Sequence, residues 1–267
     1  MSVTTAVERL GRIGRSTLRR FVKPNGLPVL LRGLPQDRRE QRIPAWHHLS
    51  QLQAFEAALN RQGRSLRQCE AILEFGCGYG RLTKYLSVFA PQARVFGCDI
   101  WAEDIALCRR RFPAGTFLLQ TAPRPPLPMA DSLVDLIFSY SVFTHLSEAN
   151  HSAWLKELGR LLKPGGLMLH TTHSYACLRL MALFSPERLE KYALGMDVEQ
   201  FIASDKGYHY APEEADQSEY GLTIISRDYV MTQWPNASGL RLLDYAEGAI
   251  ESYPEGCQDL VVLTKDT

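Results

Sequence analysis

The sequence has no uninterrupted apolar run near the roughly 20 residues that a membrane-spanning helix requires, so it predicts no transmembrane segment. It also lacks an N-terminal apolar stretch followed by small residues, and we therefore expect no secretory signal peptide. Its 19 Gly and 15 Pro are too scattered for a collagen-like or linker-rich chain. With 45% hydrophobic and 22% charged residues among 267, the composition excludes general disorder and is typical of a large globular domain, with or without an appendage.

Cysteine pairs of the CxxC type are missing as well, and the six cysteines form no dense framework. They are Cys69, Cys77, Cys98, Cys108, Cys177 and Cys257. This pattern is typical of reduced thiols and predicts a cytoplasmic protein.

Excess charge of either sign is absent overall, because the net charge is only +1, which excludes a globally basic nucleic-acid-binding protein. The charge is unevenly distributed, however. The first 40 residues carry nine basic and three acidic side chains, so the remainder of the chain is net negative. This asymmetry indicates that the basic N-terminal segment needs a functional explanation of its own, separate from that of the remaining chain.

From about residue 70 the chain alternates between short apolar runs and stretches with helical periodicity. Strands are predicted at 71–75, 94–98, 116–119, 134–139 and 167–172, with helices at 81–89, 105–112 and 150–162. Lys163-Pro164-Gly165-Gly166 is predicted to end the last of these helices, since proline cannot continue it. The alternation predicts a doubly wound α/β sheet.

Two segments lie outside this alternation. Residues 1–68 are predicted to form an N-terminal basic helical extension, and residues 174–222 a polar, aromatic-bearing insertion after the fifth strand, within a main domain of residues 69–267. A helix beginning at Ser226 and Asp228 then precedes two runs, 240–246 and 259–263, without an obvious helix between them. These two runs predict an antiparallel pair at the sheet edge.

The glycine-rich segment Glu74-Phe75-Gly76-Cys77-Gly78-Tyr79-Gly80-Arg81 follows the first strand directly. Such glycines allow a tight turn and a close approach of a ligand to the main chain. The spacing is GxGxG rather than the GxGxxG of dinucleotide-binding loops, and Glu74 lies two positions before the first glycine. A carboxylate there repels a pyrophosphate and attracts a cationic ligand, which disfavours a nicotinamide dehydrogenase.

A second acidic residue, Asp99, follows the second strand, 19 positions after Gly80. A carboxylate at the end of this strand can accept hydrogen bonds from both hydroxyls of a ribose, as in nucleoside-binding doubly wound folds. The alternative is a turn aspartate without a ligand.

These motifs together resemble those of class I S-adenosylmethionine-dependent methyltransferases over about residues 70–175. The matching segments are residues 74–81, Asp99, 134–146 and 161–166, with the 259–263 run as a closing match. More narrowly, residues 141–146, 171–173 and 258–263 resemble bacterial methyltransferases associated with polysaccharide or glycan synthesis. The resemblance implies a Rossmann-like, seven-stranded sheet with its last strand antiparallel, and S-adenosyl-L-methionine as the cofactor.

The resemblance also implies which residues contact the cofactor. Gly76 and Gly78 would contact its amino-acid part, Glu74 would support the loop or the ammonium group, and Asp99 would bind the ribose. Residues around the loop, the adenine and the methyl group complete the predicted set: Cys77, Gly80, Arg81, Ile100, Gln120, Thr121, Ala122, Ser139 and Tyr140. The chain departs from many relatives after the third strand, where Gln120-Thr121-Ala122 replaces an acidic residue that contacts the adenine amine.

Two of the seven histidines are candidates for the base that removes a proton from a hydroxyl acceptor. His145 and His173 follow the fourth and fifth predicted strands, at the carboxyl ends where ligands bind in such sheets. For either histidine the alternative is a structural role. His145, for example, can orient the loop that carries it. His170 and His173 are poor joint metal ligands because positions three apart on a strand face opposite sides. No Asp/Asn cluster follows the fourth strand, and the sequence therefore predicts no metal.

The function predicted is metal-independent O-methylation of a sugar, a glycan or another small polar acceptor, whose pocket the 174–222 insertion shapes. The alternatives are natural-product N- or O-methylation and a non-catalytic S-adenosylmethionine-binding module. No nucleic-acid partner is predicted. The basic N-terminal helix has three alternative partners: the inner face of a membrane, the acidic remainder of its own domain, or a second subunit in a homodimer.

Overall fold

The structure, a computed structural model, describes residues 45–121, 124–184, 186–191, 197–204, 207–212, 220–252 and 256–267. The predicted basic helix of the first 40 residues lies outside these ranges, so its membrane and subunit alternatives stay predictions. Among the described helices, none has both the length and the apolar character needed to cross a membrane.

The main sheet contains seven strands: β1 Ala71–Phe75, β2 Arg94–Asp99, β3 Thr116–Leu119, β4 Val134–Ser139, β5 Leu162–Thr172, β8 Arg241–Ser252 and β9 Gly256–Thr264. Their order in the sheet is β3-β2-β1-β4-β5-β9-β8. Strands β1 to β5 are parallel, whereas β9 runs antiparallel to both β5 and β8. The prediction of a doubly wound sheet with an antiparallel last strand is confirmed. The carboxyl ends of β1, β2 and β4 consequently lie at one edge, where a ligand can bind.

Eight α-helices and a short 3-10 helix, Leu66–Gln68, accompany the described strands, and the α-helices are numbered in chain order. They are α1 Ala45–Arg61, α2 Thr83–Phe89, α3 Ala102–Arg111, α4 Glu148–Leu161, α5 Tyr175–Phe184, α6 Pro186–Lys191, α7 Val198–Ser204 and α8 Arg227–Ser238. The predicted start of α8 is confirmed, since the Ser226 hydroxyl accepts a hydrogen bond from the main-chain nitrogen of Tyr229. A serine oxygen in this position satisfies one of the free N–H groups of the first helical turn.

Helix α1 belongs to one of the two large hydrophobic clusters of the sheet domain. Its Leu52, Phe55 and Leu59 are buried with Ile72 of β1 and Phe138 of β4, and the rings of Phe55 and Phe138 lie 5.3 Å apart. This helix, which lies in the described part of the predicted N-terminal extension, therefore contributes side chains to the core of the sheet domain.

The segment after β5 has a small core of its own. Helices α5 and α7 pack with the two-stranded antiparallel sheet of β6 Tyr208–Pro212 and β7 Gly221–Ile225 around Leu178, Met181 and Phe201. The insertion predicted at 174–222 is thus built from helices plus a hairpin, and the hairpin lies against the loop that follows β4.

Strand β5 begins five residues earlier than predicted. The Lys163–Gly166 segment is an irregularity inside the strand, because the β4 partners shift from Leu162 to Leu167 and Gly165 has a φ of +73°. Main-chain hydrogen bonds to Lys265 hold this segment beside the end of β9. Helix α4 therefore ends before the proline and glycines, while the pairing of β5 with its neighbours continues through them.

Candidate active site

The three glycines of the loop after β1 have positive φ angles, and each meets a different neighbour. A Cβ atom at Gly76 would lie 2.2 Å from Val142, and one at Gly80 would lie 2.4 Å from Phe112. At Gly78 (φ +49°) the nearest atom would be a carboxylate oxygen of Asp104, 3.8 Å away. Gly76 and Gly80 therefore allow close packing, whereas Gly78 borders open space that a ligand can occupy.

The main-chain N–H groups of this loop are used within the protein. The nitrogens of Gly76 and Cys77 both donate to the carbonyl oxygen of Cys98, over 2.9 and 3.0 Å, and that of Gly78 donates to the Asp99 carboxylate over 2.7 Å. A dinucleotide loop instead directs such groups at a pyrophosphate. The loop therefore presents no row of donors to an anion here. The Cys77 side chain is buried beside Cys108, away from the loop surface.

Glu74 lies beneath the loop, with only 3% of its surface exposed. Its carboxylate accepts a hydrogen bond from the hydroxyl of Thr83, the first residue of α2, and Arg81 lies close enough to attract it. These two contacts favour the charged carboxylate, but burial outweighs them and raises the pKa of Glu74 to about 8. A cationic group bound nearby would stabilise the charged form of this carboxylate.

Asp99 lies at the end of β2 beside the loop. Its two carboxylate oxygens accept main-chain hydrogen bonds from Gly78 and Trp101, while burial raises its pKa above the usual value. Each carboxylate oxygen has a second lone pair, so ribose hydroxyls can add to these contacts. The next residue, Ile100, exposes 48% of its surface and provides an apolar face at the same strand end.

Arg81 connects the loop to two other elements. Its guanidinium donates to the side-chain oxygen of Gln51 in α1 over 2.6 Å and lies over the ring of Tyr140, 4.9 Å from the centroid. Gln51 was not among the predicted site residues. Only its place on the apolar-periodic helix α1 hinted that it would face the sheet.

The residues predicted to border adenine are partly described. The main-chain nitrogen of Gln120 donates to the Asp99 carbonyl oxygen, and its side-chain amide donates to the carbonyl oxygen of Arg124, each over 2.8 Å. Thr121 is exposed, and Ala122 lies outside the described residues. Gln120 thus lies beside the end of β2, and the adenine contact of Gln120 and Thr121 stays a prediction.

The two serines at the end of β4, Ser139 in the strand and Ser141 after it, face different surroundings. Ser139 is completely buried and shares a hydrogen bond of 2.7 Å with Nδ1 of His170, so its hydroxyl faces the interior and not a ligand. Ser141 has a φ of +59°, which is uncommon for a residue with a side chain. Thr171 and Gln258 hold Ser141 by hydrogen bonds of 2.8 and 3.1 Å. Strain maintained in this way is common at functional sites.

His145 ends the turn that begins at Val142, the residue packed against Gly76. The main-chain nitrogen of His145 donates to the Val142 carbonyl oxygen, and its Nδ1 atom donates to the carbonyl oxygen of Gly221 over 2.7 Å. Its ring stacks on that of Tyr220, with centroids 4.5 Å apart and planes 10° apart. His145 is half-buried, so this imidazole is held near the loop and remains within reach of solvent.

The second base candidate, His173, is 1% exposed, and its main-chain oxygen accepts a hydrogen bond from Ile225 of β7. Its burial beneath the insertion makes it a poor group for accepting a proton from an acceptor. His170 faces a different neighbourhood, packed against Phe143 and Trp234, as the predicted opposition of the two histidines requires.

Within the described ranges, no group of three or more His, Cys, Asp or Glu side chains is arranged to hold a metal ion. An open groove does lie beside the last turns of α4, lined by residues such as Pro126, Lys156 and Arg160. It lies near the amino ends of the strands, opposite to the edge at which doubly wound sheets bind their ligands.

Comparisons with known proteins agree with this geometry. Residues 72–166 match the family model described as a methyltransferase domain. The chain is 37% identical over 103 residues to trans-aconitate 2-methyltransferase of Azoarcus sp. (strain BH72), which covers 39% of each protein. It is 31% identical over 100 residues to fatty-acid O-methyltransferase of Mycolicibacterium smegmatis, covering 38% of this chain and 36% of that protein. The chain thus spans about two fifths of these relatives' length.

Solved structures extend the likeness in fold beyond the matched segment. The 1,6-didemethyltoxoflavin-N1-methyltransferase of Burkholderia thailandensis, solved with S-adenosylhomocysteine, aligns with a TM-score of 0.55 at 12% identity over 100% of this chain and 92% of that one. A Mesorhizobium loti S-adenosylmethionine-dependent methyltransferase aligns with a TM-score of 0.55 at 14% identity, covering 79% and 98%. The predicted Rossmann-like methyltransferase fold is confirmed. The family-model match over residues 72–166 lies within the predicted resemblance of about residues 70–175.

Proposed function

We propose that this chain is an S-adenosylmethionine-dependent methyltransferase that methylates a hydroxyl group of a small polar acceptor without a metal. The observation that carries the proposal is the arrangement of the Gly78 loop and Asp99. The loop's own N–H groups are bound to β2, the space beside Gly78 is open, and carboxylates lie at the ends of β1 and β2. These features fit a ligand with a cationic end and a ribose.

The residues present fit this cofactor at each of its parts. Gly78 would border its amino-acid part, with Arg81 near the carboxylate and Glu74 favouring the positive charge. Asp99 would accept the ribose hydroxyls, while Ile100, Gln120 and Thr121 would border the adenine. When bound, S-adenosylmethionine supplies a methyl group already activated by the sulfonium.

The protein's remaining task is to orient the acceptor and remove its proton. We assign the base role to His145 rather than to His173. Donation from Nδ1 of His145 to the Gly221 carbonyl leaves the lone pair of the neutral ring on Nε2, which can accept a proton. His145→Gln should lower turnover about 10²–10⁴-fold with little change in cofactor affinity.

The acceptor is assigned by class only. The two relatives named above carry names of small-molecule methyltransferases, whose acceptors are trans-aconitate and a fatty acid. The motifs at 141–146, 171–173 and 258–263 support a sugar or glycan acceptor for this chain. The insertion after β5, which covers His173 and reaches His145, would form the acceptor side of the pocket.

Calorimetric titration with S-adenosylhomocysteine, beside NAD and NADP, tests the cofactor assignment. Gly78→Ala should weaken binding by at least about tenfold, because its methyl group enters the open space. Gly63→Ala is the matched control, since Gly63 also has a positive φ (+68°) and no atom within 4 Å of the added Cβ, yet lies outside the loop. Binding of NAD instead, or equal affinity in both variants, would overturn the assignment.

Activity is then tested by incubating the wild-type protein with labelled S-adenosylmethionine and a panel of sugars, nucleotide sugars, lipid-linked glycans and organic acids. Methyl transfer to a hydroxyl group of a sugar supports the proposed class. Transfer to a carboxylate, or strong cofactor binding without transfer to any member of the panel, contradicts it, and the second outcome favours a non-catalytic binding module.

A further inference from the structure

Strand β7 of the insertion is hydrogen-bonded along the loop that carries His145. The main-chain nitrogens of Gly221 and Thr223 donate to the carbonyl oxygens of His145 and Thr144, over 3.0 and 2.9 Å. The hydroxyls of Thr223 and Tyr208 both donate to the Leu146 carbonyl oxygen, over 2.6 and 2.8 Å. The loop after β4 is therefore held by the hairpin as well as by the main sheet.

The first residue of this strand, Gly221, and the preceding residue, Tyr220, also hold the imidazole ring of His145. The Gly221 carbonyl oxygen accepts from Nδ1, and the Tyr220 ring lies parallel to the imidazole at 4.5 Å. The carbonyl determines which nitrogen carries the proton, since a carbonyl can only accept. The stacked ring limits rotation of the imidazole out of its plane.

The position of the carbonyl is itself fixed by packing. A Cβ atom at Gly221 would lie 2.1 Å from the carbonyl oxygen of Ala211 in β6, so only glycine allows the two strands to approach this closely. The close packing of β7 on β6 therefore fixes the position of the Gly221 carbonyl beside His145.

We propose that Tyr220 and Gly221 are positioning residues that hold His145 in its Nδ1-protonated form, with Nε2 as the proton acceptor. The insertion then does more than cover the acceptor, because it also prepares the base. This inference rests on the proposed function for its purpose, but the state of His145 can be measured without a known acceptor.

The experiment is long-range ¹H–¹⁵N NMR of the full chain labelled in its histidines, at about pH 8. His145→Gln identifies the His145 signals by their loss. The expected wild-type result is a protonated Nδ1 and an unprotonated Nε2. Tyr220→Phe keeps the stacked ring and should preserve this pattern, whereas Tyr220→Leu should add a population protonated on Nε2. Gly221→Ala should shift the pattern further, because β7 must move away from Ala211.

A wild-type His145 protonated on Nε2 would overturn the inference, as would identical spectra for wild type and Tyr220→Leu. If Gly221→Ala does not fold, the comparison of Tyr220→Phe with Tyr220→Leu still tests the inference. Titration of the same samples with S-adenosylhomocysteine separates the two proposals. If the wild-type protein does not bind S-adenosylhomocysteine but His145 is protonated on Nδ1, only the proposed function is contradicted. If it binds S-adenosylhomocysteine but His145 is protonated on Nε2, only the positioning role is contradicted.

Discussion

The carboxylate of Asp99 accepts the main-chain N–H of Gly78 across 2.7 Å, which connects the end of β2 to the loop after β1. The contact keeps the loop open at Gly78 and places the carboxylate beside that opening. One side chain therefore shapes the predicted cofactor pocket and supplies its hydroxyl acceptor.

Asp99→Asn should separate these two roles. An asparagine oxygen can still accept from Gly78, but its amide nitrogen cannot accept from Trp101, and the negative charge that strengthens hydrogen bonds from ribose hydroxyls is lost. We expect the affinity for S-adenosylhomocysteine to fall about 10–100-fold, while loss of the Trp101 contact lowers the unfolding free energy by about 0.5–1.5 kcal/mol. Calorimetry checks this, with Asp228→Asn, an exposed residue in the first turn of α8, as the control. Equal affinities for wild type and Asp99→Asn would remove Asp99 from the pocket.

Glu74→Gln should reveal the cost of the buried carboxyl group. The pKa of Glu74 rises on folding from 4.5 to about 8, so the folded protein binds the extra proton between these values and its unfolding free energy falls as pH rises. Glutamine can still accept from Thr83 but does not titrate. Urea denaturation at pH 5.5 and pH 8 should therefore show a weaker decline in the variant, by at most about 1.4 kcal/mol per pH unit. Parallel declines would contradict the raised pKa.

His170→Asn tests the opposite dependence at acid pH. Burial lowers the pKa of His170 from 6.5 to about 3, so the unfolded chain binds a proton that the folded protein excludes, and stability is lost as pH falls from 6.5 towards 3. Asparagine can replace the Nδ1 contact to Ser139 without titrating. Urea denaturation between pH 6.5 and 4.5 should give a shallower loss in the variant, by up to about 1.4 kcal/mol per pH unit. An unchanged slope would show that His170 titrates equally in both states.

Tyr245→Phe should destabilise the fold through a second buried carboxylate. Asp259 is fully buried in β9 and accepts from the Tyr245 hydroxyl and, over 2.8 Å, from the main-chain nitrogen of Gly248. Removing the hydroxyl should cost about 1–3 kcal/mol of unfolding free energy.

Tyr229→Phe is the matched control for this substitution, because its hydroxyl donates to the exposed Glu148 and should cost about 0.5 kcal/mol or less. Chemical denaturation of the two variants side by side gives the comparison. Equal losses would show that burial of Asp259 does not set the cost.

Much of the fold and the cofactor end of the site follows from local sequence signals. The glycine spacing after β1, the acidic residue after β2 and the strand–helix alternation each depend on residues close together in the chain. They predicted the loop, the place of Asp99 and the doubly wound sheet, and the lack of an obvious helix between the last two runs predicted their antiparallel pairing.

What sequence could not predict depends on distant contacts. Strand β4 is buried on both faces, so its pattern does not reveal that Ser139 faces His170 inside the protein. His145 and His173 were equivalent as strand-end histidines. They differ in how β7 meets them: Gly221, 76 residues after His145, accepts a hydrogen bond from its half-buried imidazole, whereas Ile225 bonds the main chain of the buried His173.

The pairing of β7 with the loop at residues 144–146 bears on how such enzymes diversify. Because the segment that would choose the acceptor also holds the base, exchanging that segment between relatives would transfer two properties together. A chimera that imports a new insertion needs its equivalents of Tyr220 and Gly221 in register with His145. Without that register it would recognise a new acceptor and leave it unmethylated.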